Sequence, residues 1–374
     1  VPVQNIYVYA FMPVSPHYPH GDSLSFRGEV VPVRPFLSDT GDTVDYPRIL
    51  QAQNIHTVLQ SSDVIKKESV SSIRSWSVRI TSELATVLQT AMSEPASGLG
   101  RGIALGERQA LSAHDEELFR TTGLSHIVVF SGSNVALIVI CLWFLLGMFS
   151  TTSRVIVICS SVWCVIAAIG FDPPAVRAGI MATIVLLTQS IGKHAAVLEV
   201  FFATVILMLI YNPFQLLFDV SFQLSALAVL SLITLAPLSY EVLSKKVPKV
   251  LAFALSLHIS VTLLVSPLLL YTFGTFSVVS VLANILVAPL VPLALCMTLA
   301  TAVLGFTLPS VVPIFAIPTE LVLYAIYRIA ETLASVPHAS MALGSVSLPA
   351  VCLWYLGVLC VYLMTRNVRQ LQTS

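Results

Sequence analysis

The sequence predicts a mainly α, polytopic membrane bundle of about nine spans with a small, partial β domain outside the membrane. Three observations carry this. Hydrophobic residues make up 56% of the chain and charged ones 10%, with a mean hydropathy of +0.88, whereas soluble domains carry about 45–50% apolar and about 25% charged residues. From His126 onward the chain is a succession of apolar stretches. The charge is unevenly spread: residues 1–125 hold 10 Lys/Arg and 13 Asp/Glu, a net −3, and residues 126–374 hold 9 and 6, a net +3.

The polar part comes first. Residues 5–12 and 22–33 alternate with period two, interrupted by the turn-rich Ser15–Gly21 and followed by Ser38–Asp42, as strands of a partial β domain over 1–69 would. Ile73, Trp76, Ile80, Leu84, Val87, Leu88 and Ala91 then recur at helical spacing, with Arg74, Arg79 and Glu83 opposite. Such a helix suits the membrane plane or the surface of a soluble domain. Ser112 and Asp115 have the capping-box spacing and open a short acidic helix that ends at Gly123. Residues 70–125 therefore read as amphipathic helices between the β domain and the membrane domain, 126–374. Val1 stands where an initiator Met would, and no basic leader precedes the polar part; the expectation is a fragment whose preceding segment brought it to the membrane.

At about 20 residues per hydrocarbon core, the spans fall near 126–147, 154–170, 174–191, 196–211, 218–237, 250–272, 277–305, 312–334 and 347–364. Arg154, Lys193, the cluster Lys245, Lys246 and Lys249, and the tail cations Arg366 and Arg369 all fall on one side; 211–217, 271–276 and 337–347 carry no cation. The positive-inside rule places that basic side and the C-terminus in the cytoplasm and residues 1–125 outside. The six cysteines all lie in apolar runs, with no C-x-x-C and no His at ligand spacing; they read as core thiols, and no metal or other cofactor is expected.

Because a charge at a helix centre costs roughly 2.5–3.5 kcal/mol on insertion scales, intramembrane polar groups are the candidate functional residues. His126, Ser131 and Asn134 in the first span, Arg177 in the third, Asp219 and Gln223 in the fifth and Asn284 in the seventh all fall in the outer half of spans that run in one direction. They could line one outward vestibule, in which Asp219 and Gln223, four apart, would share a helix face. Equally, Arg177 and Asp219 could neutralise each other while the amides glue helices together. Pro267, Pro289 and Pro292 fall inside apparent spans and invite kinks or unwound backbone. His258 and Glu320 lie near mid-span and read first as packed groups; Arg328 and Glu331, three apart, read as a local pair. Ser125, His126 and Ser131 do not make a hydrolytic site, since neighbours on a helix diverge and neither a G-x-S-x-G elbow nor an H-E-x-x-H pair occurs. A Walker A motif is absent too, so no enzyme is expected and any energy the chain uses is expected to come from elsewhere.

Leu105-Gly106-Glu107-Arg108, Gly123-Leu124-Ser125-His126 leading to Ser131-Gly132, Val176-Arg177-Ala178 with Met181, Asn212-Pro213 through Asp219-Val220-Ser221-Phe222-Gln223-Leu224-Ser225, and Ala283-Asn284 with Pro289-Leu290 resemble, in order and spacing, the competence region of ComEC proteins. The D-V-x-F-Q-L-S string is the most specific piece. Asp45, Tyr46 and Arg48, following the strand-like 21–33, look like the end of that family's external OB-like domain. The resemblance implies a channel for single-stranded DNA in the cytoplasmic membrane, fed outside by a DNA-receptor protein, helped inside by an ATP-driven helicase-like partner, embedded in lipid and compatible with a homodimer. It marks His126, Ser131, Gly132, Asn134, Arg177, Asp219, Phe222, Gln223 and Asn284 as pore or motif residues, with Gly106, Glu107 and Arg108 as an external motif. Where many members have S-G-x-H, this chain has Ser131-Gly132-Ser133-Asn134, so no imidazole stands at 134. The nuclease domain of longer relatives is not expected here, so the non-transported strand should be cut elsewhere. The acidic balance of 1–125 argues against a strong DNA groove, although Arg27, Arg34 and Arg48 with Tyr46 could form a local patch. The rival reading is a transporter or flippase for a small or lipidic substrate using the same vestibule.

Overall fold

The computed structural model describes the backbone of residues 7–11, 22–31, 36–37, 43–44, 50, 55–69 and 73–373, except 194 and 345. It describes side chains at Leu50 and over 79–365, except 108, 194 and 345. The chain divides into two compact units, 1–82 with 149–223 and 83–148 with 224–374.

In the first unit, β1 (Tyr7–Phe11), β2 (Asp22–Val31) and β5 (Ile55–Ser69) form a three-stranded sheet in the order β1-β5-β2; β3 (Phe36–Leu37) pairs with β4 (Thr43–Val44). β5 runs parallel to β1 and antiparallel to β2, with Arg27 opposite Asp63 and irregularities after Ser25 and Arg27. β1 and β2 fall where the alternation predicts them. β5 escapes sequence reading because Gln60, Ser61, Ser62, Asp63, Lys66 and Lys67 leave it no apolar face to alternate. Among the described residues the strands make a sheet and a separate pair, not the five-stranded barrel of an OB domain.

The same unit holds α5 (Thr151–Ala168), α6 (Pro173–Ser190), α7 (Val197–Tyr211), α8 (Gln215–Phe218) and the start of α9 (Val220–Leu243). Val155, Ile158, Val162 and Ile166 bury one stripe of α5, while Ile156 and Val157 face outward, as a helix half in protein and half in lipid requires. Trp163 Nε1 donates to Thr183 Oγ1 at 3.1 Å, tying α5 to α6.

The second unit contains α1 (Ile73–Ala91) from Glu83 onward, α2 (Ala96–Leu105), α3 (Ala113–Thr121), α4 (Gly132–Leu145), the rest of α9, α10 (Lys249–Phe273), β6 (Thr275–Ser277), α11 (Ser280–Val287), α12 (Leu290–Thr307), α13 (Val312–Ala334), β7 (Ser340–Ala342) and α14 (Leu348–Thr373). Its core joins Leu88, Leu99, Ile103 and Leu124 to Leu295, Leu323 and Ile326, all fully buried. α2 enters that core through Leu99 and Ile103, and its glycines let its backbone approach its neighbours closely. A Cβ at Gly100 would lie 3.1 Å from Leu323 Cδ1 and 3.2 Å from Thr298 Cγ2, and one at Gly102 only 2.8 Å from the Val128 carbonyl oxygen. At Gly102 only hydrogen permits that approach to backbone, and at Gly100 a side chain would force its neighbours to give way. The predicted capping box opens α3: Asp115 N donates to Ser112 Oγ at 3.2 Å and Ser112 N to Asp115 Oδ2 at 3.4 Å.

Among the described residues six helical stretches are long and apolar enough to cross a membrane: 151–168, 220–243, 249–273, 290–307, 309–334 and 348–365. The remaining expected spans differ for local reasons. The first becomes helical only at Gly132, leaving α4 with 14 residues, about 21 Å against a core of about 30 Å. α6 has 18 residues but carries Arg177, and α7 has 15. The stretch 277–305 is broken between α11 and α12 at Ala288–Pro289, where the prolines invite it. β6 pairs antiparallel with β7, Phe276 opposite Met341. Two connections that the charge pattern assigns to one side are thus hydrogen-bonded to each other. Residues 87–123 run beside the α12–α13 pair from end to end. Val87 meets Gly305, which itself adjoins Val312, and Ser93 N donates to Glu320 Oε1 at 3.3 Å. Phe119 packs edge-on to Tyr327, whose hydroxyl donates to Asp115 Oδ1 at 2.9 Å, and Gly123 abuts Ser280.

Candidate functional site: an arginine-held elbow and a buried amide junction

In the first unit the site is built on the turn between α7 and α9. Pro213 cannot continue α7, and Asn212 Oδ1 accepts from Phe214 N at 3.1 Å, an Asx turn that leads into the single-turn α8. Asp219 then sits just ahead of α9 with extended backbone, and its Oδ1 accepts from Phe222 N at 3.0 Å. That is an N-cap. Asp219 is therefore outside the helix that Gln223 belongs to, and the expectation that the two share a helix face gives way to a different geometry. Gln223 turns back and donates from Nε2 to the Leu216 carbonyl at 2.8 Å, latching α9 onto α8.

Arg177 completes the elbow from α6. It is 6% exposed, its Nη2 donates to the Ser221 carbonyl at 2.8 Å, and its guanidinium lies 5.6 Å from the ring centroid of Phe222, itself 1% exposed. Asp219 and Asp172 are the carboxylates whose charge it feels. A desolvated cation is tolerable only with such company: opposite charge, a carbonyl and an aromatic face. Arg177, Asp219, Phe222 and Gln223, four of the sequence-predicted residues, are thus brought together.

In the second unit the stretch 124–131 runs without helix beside α2 and enters α4 at Gly132. Asn134, 3% exposed, donates from Nδ2 to the Ile103 carbonyl at 3.0 Å, while Ser131 Oγ donates to Asn134 Oδ1 at 3.3 Å and lies 2.7 Å from Ser133 Oγ. Irregular backbone buried in protein survives where its neighbours supply partners, and α2 packs beside it here. Gly106, at φ 73°, closes α2 by donating its N–H to Gly102. Glu107 then pairs with Arg101 at 3.5 Å, and Arg101 reaches Glu94 at 3.4 Å. Sequence reasoning misses Arg101 and Glu94, although their i, i+7 spacing around an otherwise apolar helix is a usable signal. His126 stands exposed in the non-helical stretch. Asn284 bonds its own helix, Nδ2 to the Ser280 carbonyl at 2.8 Å. Arg27 lies in β2, its side chain outside the described residues, as is that of Arg108; Arg34, Tyr46 and Arg48 lie wholly outside them.

A family model described as Competence protein, the ComEC-type competence domain, matches residues 103–368. The chain belongs to the competence protein family. No curated protein and no solved structure matches it. The match to the competence family begins inside α2 and ends inside α14, so the elbow and the Asn134 junction are both features of the competence domain.

Proposed function

We propose that this competence protein is a channel that passes single-stranded DNA across the cytoplasmic membrane during natural transformation. The family match over residues 103–368 carries the reading, and it takes in the D-V-x-F-Q-L-S elbow with its buried Arg177. In this reading residues 1–125 face outward, where a DNA-receptor protein hands over the strand. The C-terminus faces the cytoplasm, where an ATP-driven partner draws the strand in, and the chain performs no chemistry of its own. The net −3 charge of residues 1–125 favours hand-over by a partner above tight binding by this segment, because single-strand affinity rests on phosphate neutralisation.

The test is uptake of fluorescent DNA by a deletion strain with and without the gene restored. The expected result is DNA held outside the membrane in the deletion strain and strand entry on restoration. Normal entry without the gene rejects the channel, and a defect in export or flipping of a lipidic substrate with intact DNA entry would favour the transporter reading.

A further inference from the structure

We propose that the joined ends of α10 and α14 form a hinged lip that pivots at Pro267, and that Trp354 and Tyr355 are the clasp holding the pivot. Pro267 lies inside α10. It has no N–H, so the Leu263 carbonyl one turn earlier loses its helical donor. In lipid an unpaired carbonyl must find a partner in neighbouring protein. It finds one on α14: Trp354 Nε1 donates to the Leu263 oxygen at 3.0 Å. The next residue of α14 meets the next carbonyl, Tyr355 Oη donating to the Leu264 oxygen at 3.0 Å. Trp354 is 47% exposed, so burial alone does not fix its indole, and the bond gives it a defined place.

The two helices are tied a second time. β6 follows α10 and β7 precedes α14, and they pair with Thr275 opposite Ala342. Thr275 lies twelve residues after Leu263, and Trp354 twelve after Ala342. The two segments between the ties each span twelve residues along the chain, with Pro267 within the first. At the sheet end each segment carries a glycine with left-handed backbone, Gly274 at φ 66° and Gly344 at φ 72°. Leu343 N donates to the Gly274 carbonyl at 2.9 Å, and a Cβ on Gly274 would lie 3.2 Å from the Gly344 carbonyl carbon. The lip rests on the end of α3, where a Cβ at Gly123 would lie 2.6 Å from Ser280 Cβ and 3.4 Å from Ser277 Oγ. A tilt at Pro267 moves β6 and β7 as one body against Gly123, and the clasp sets the resting angle. Trp354 and Tyr355 are positioning residues; that transport uses the tilt rests on the channel reading.

The test is a mutant cycle on the full chain in membranes, with two measurements. Trp354→Phe and Tyr355→Phe remove the donors and keep an aromatic ring at each position; Pro267→Ala returns a backbone donor to Leu263. Amide exchange over residues 270–280 should quicken about five- to tenfold in the Trp354→Phe chain, the factor one hydrogen bond carries. It should not change when Trp354→Phe is made on Pro267→Ala. Uptake should fall in Trp354→Phe and stay low in the double variant, because the pivot itself is gone. Equal quickening in both backgrounds overturns the clasp. Full uptake by the double variant overturns the hinge, leaving the indole as a mere patch for the proline. Should the unsubstituted chain pass no DNA, the channel reading fails while the exchange cycle still decides the clasp.

Discussion

At Asp219 two functions share one side chain: an acceptor that caps α9 and a charge beside Arg177. They can be separated, because asparagine keeps the capping oxygen and drops the charge, while alanine drops both. Loss of a cap costs about 0.5–2 kcal/mol, and an unopposed buried cation costs more. Arg177, however, also holds the Ser221 carbonyl and the Phe222 ring, so asparagine leaves it partly satisfied. We expect membrane abundance in the order wild type, Asp219→Asn, Asp219→Ala, measured by quantitative blot. Equal loss in the two variants would assign the whole effect to the carboxylate charge and none to the cap. Gln223, expected from the sequence as a lining group, latches α9 to the Leu216 carbonyl through its amide. Its replacement by alanine removes about 1 kcal/mol of stability as well as any contact with a strand.

Between elements, the second unit relies on close approach at small residues and on bonds to carbonyls that sequence pattern does not mark. α2 is held by Thr298 of α12, by Leu323 of α13 and by Asn134 of α4. α4 is also drawn to α12, with the sulfurs of Cys141 and Cys296 3.9 Å apart. Both thiols are free, and a small rotation of each side chain brings them to bonding distance, about 2.05 Å. A lipid-soluble oxidant should therefore crosslink them in the unsubstituted chain. With a protease site placed in the 244–248 connection, the two fragments should stay together until reductant is added, and Cys141→Ser should abolish the link. Separation of the fragments without reductant would show that α4 and α12 do not pack this way.

Across the molecule, the pairing of β6 with β7 puts Thr275 and Met341 on one side of the membrane, and the 25 residues of α10, about 37 Å, separate them from Lys246. Residues 87–123 flank α11, α12 and α13, from Gly305 at one end to Ser280 at the other, so the α12–α13 pair cannot cross the membrane unless the segment beside it crosses too. α2 has 10 residues, about 15 Å, and brings Arg101, paired with Glu94 and Glu107. The connection at 307–312 has no cation to hold it in the cytoplasm. Cysteines at Thr275, Met341 and Ser310 should therefore all react with an impermeant thiol reagent added outside, and one at Lys246 should not. Labelling of Ser310 only after permeabilisation would show that α12 and α13 both cross and would carry Val87 to the cytoplasmic side.

Composition, hydropathy and cation placement by themselves determined that this is a mainly α membrane protein with a polar β-bearing N-terminal region. The ordered motifs pointed to its family, because these signals are local and additive along the chain. The capping box at Ser112, the break at Pro289 and β1 and β2 were legible for the same reason. What each polar residue does was decided by tertiary structure. Asp219 reads as a helix-face partner of Gln223 until Pro213 and Asn212 fold the chain back. Asn134 reads as a pore amide until the glycine-rich α2 brings the Ile103 carbonyl within reach. Hydropathy counts α12 and α13 as spans because both are apolar, but only packing shows which segments lie beside them. A polar group buried away from water must take whatever partner the fold brings near, and that partner can stand anywhere in the sequence.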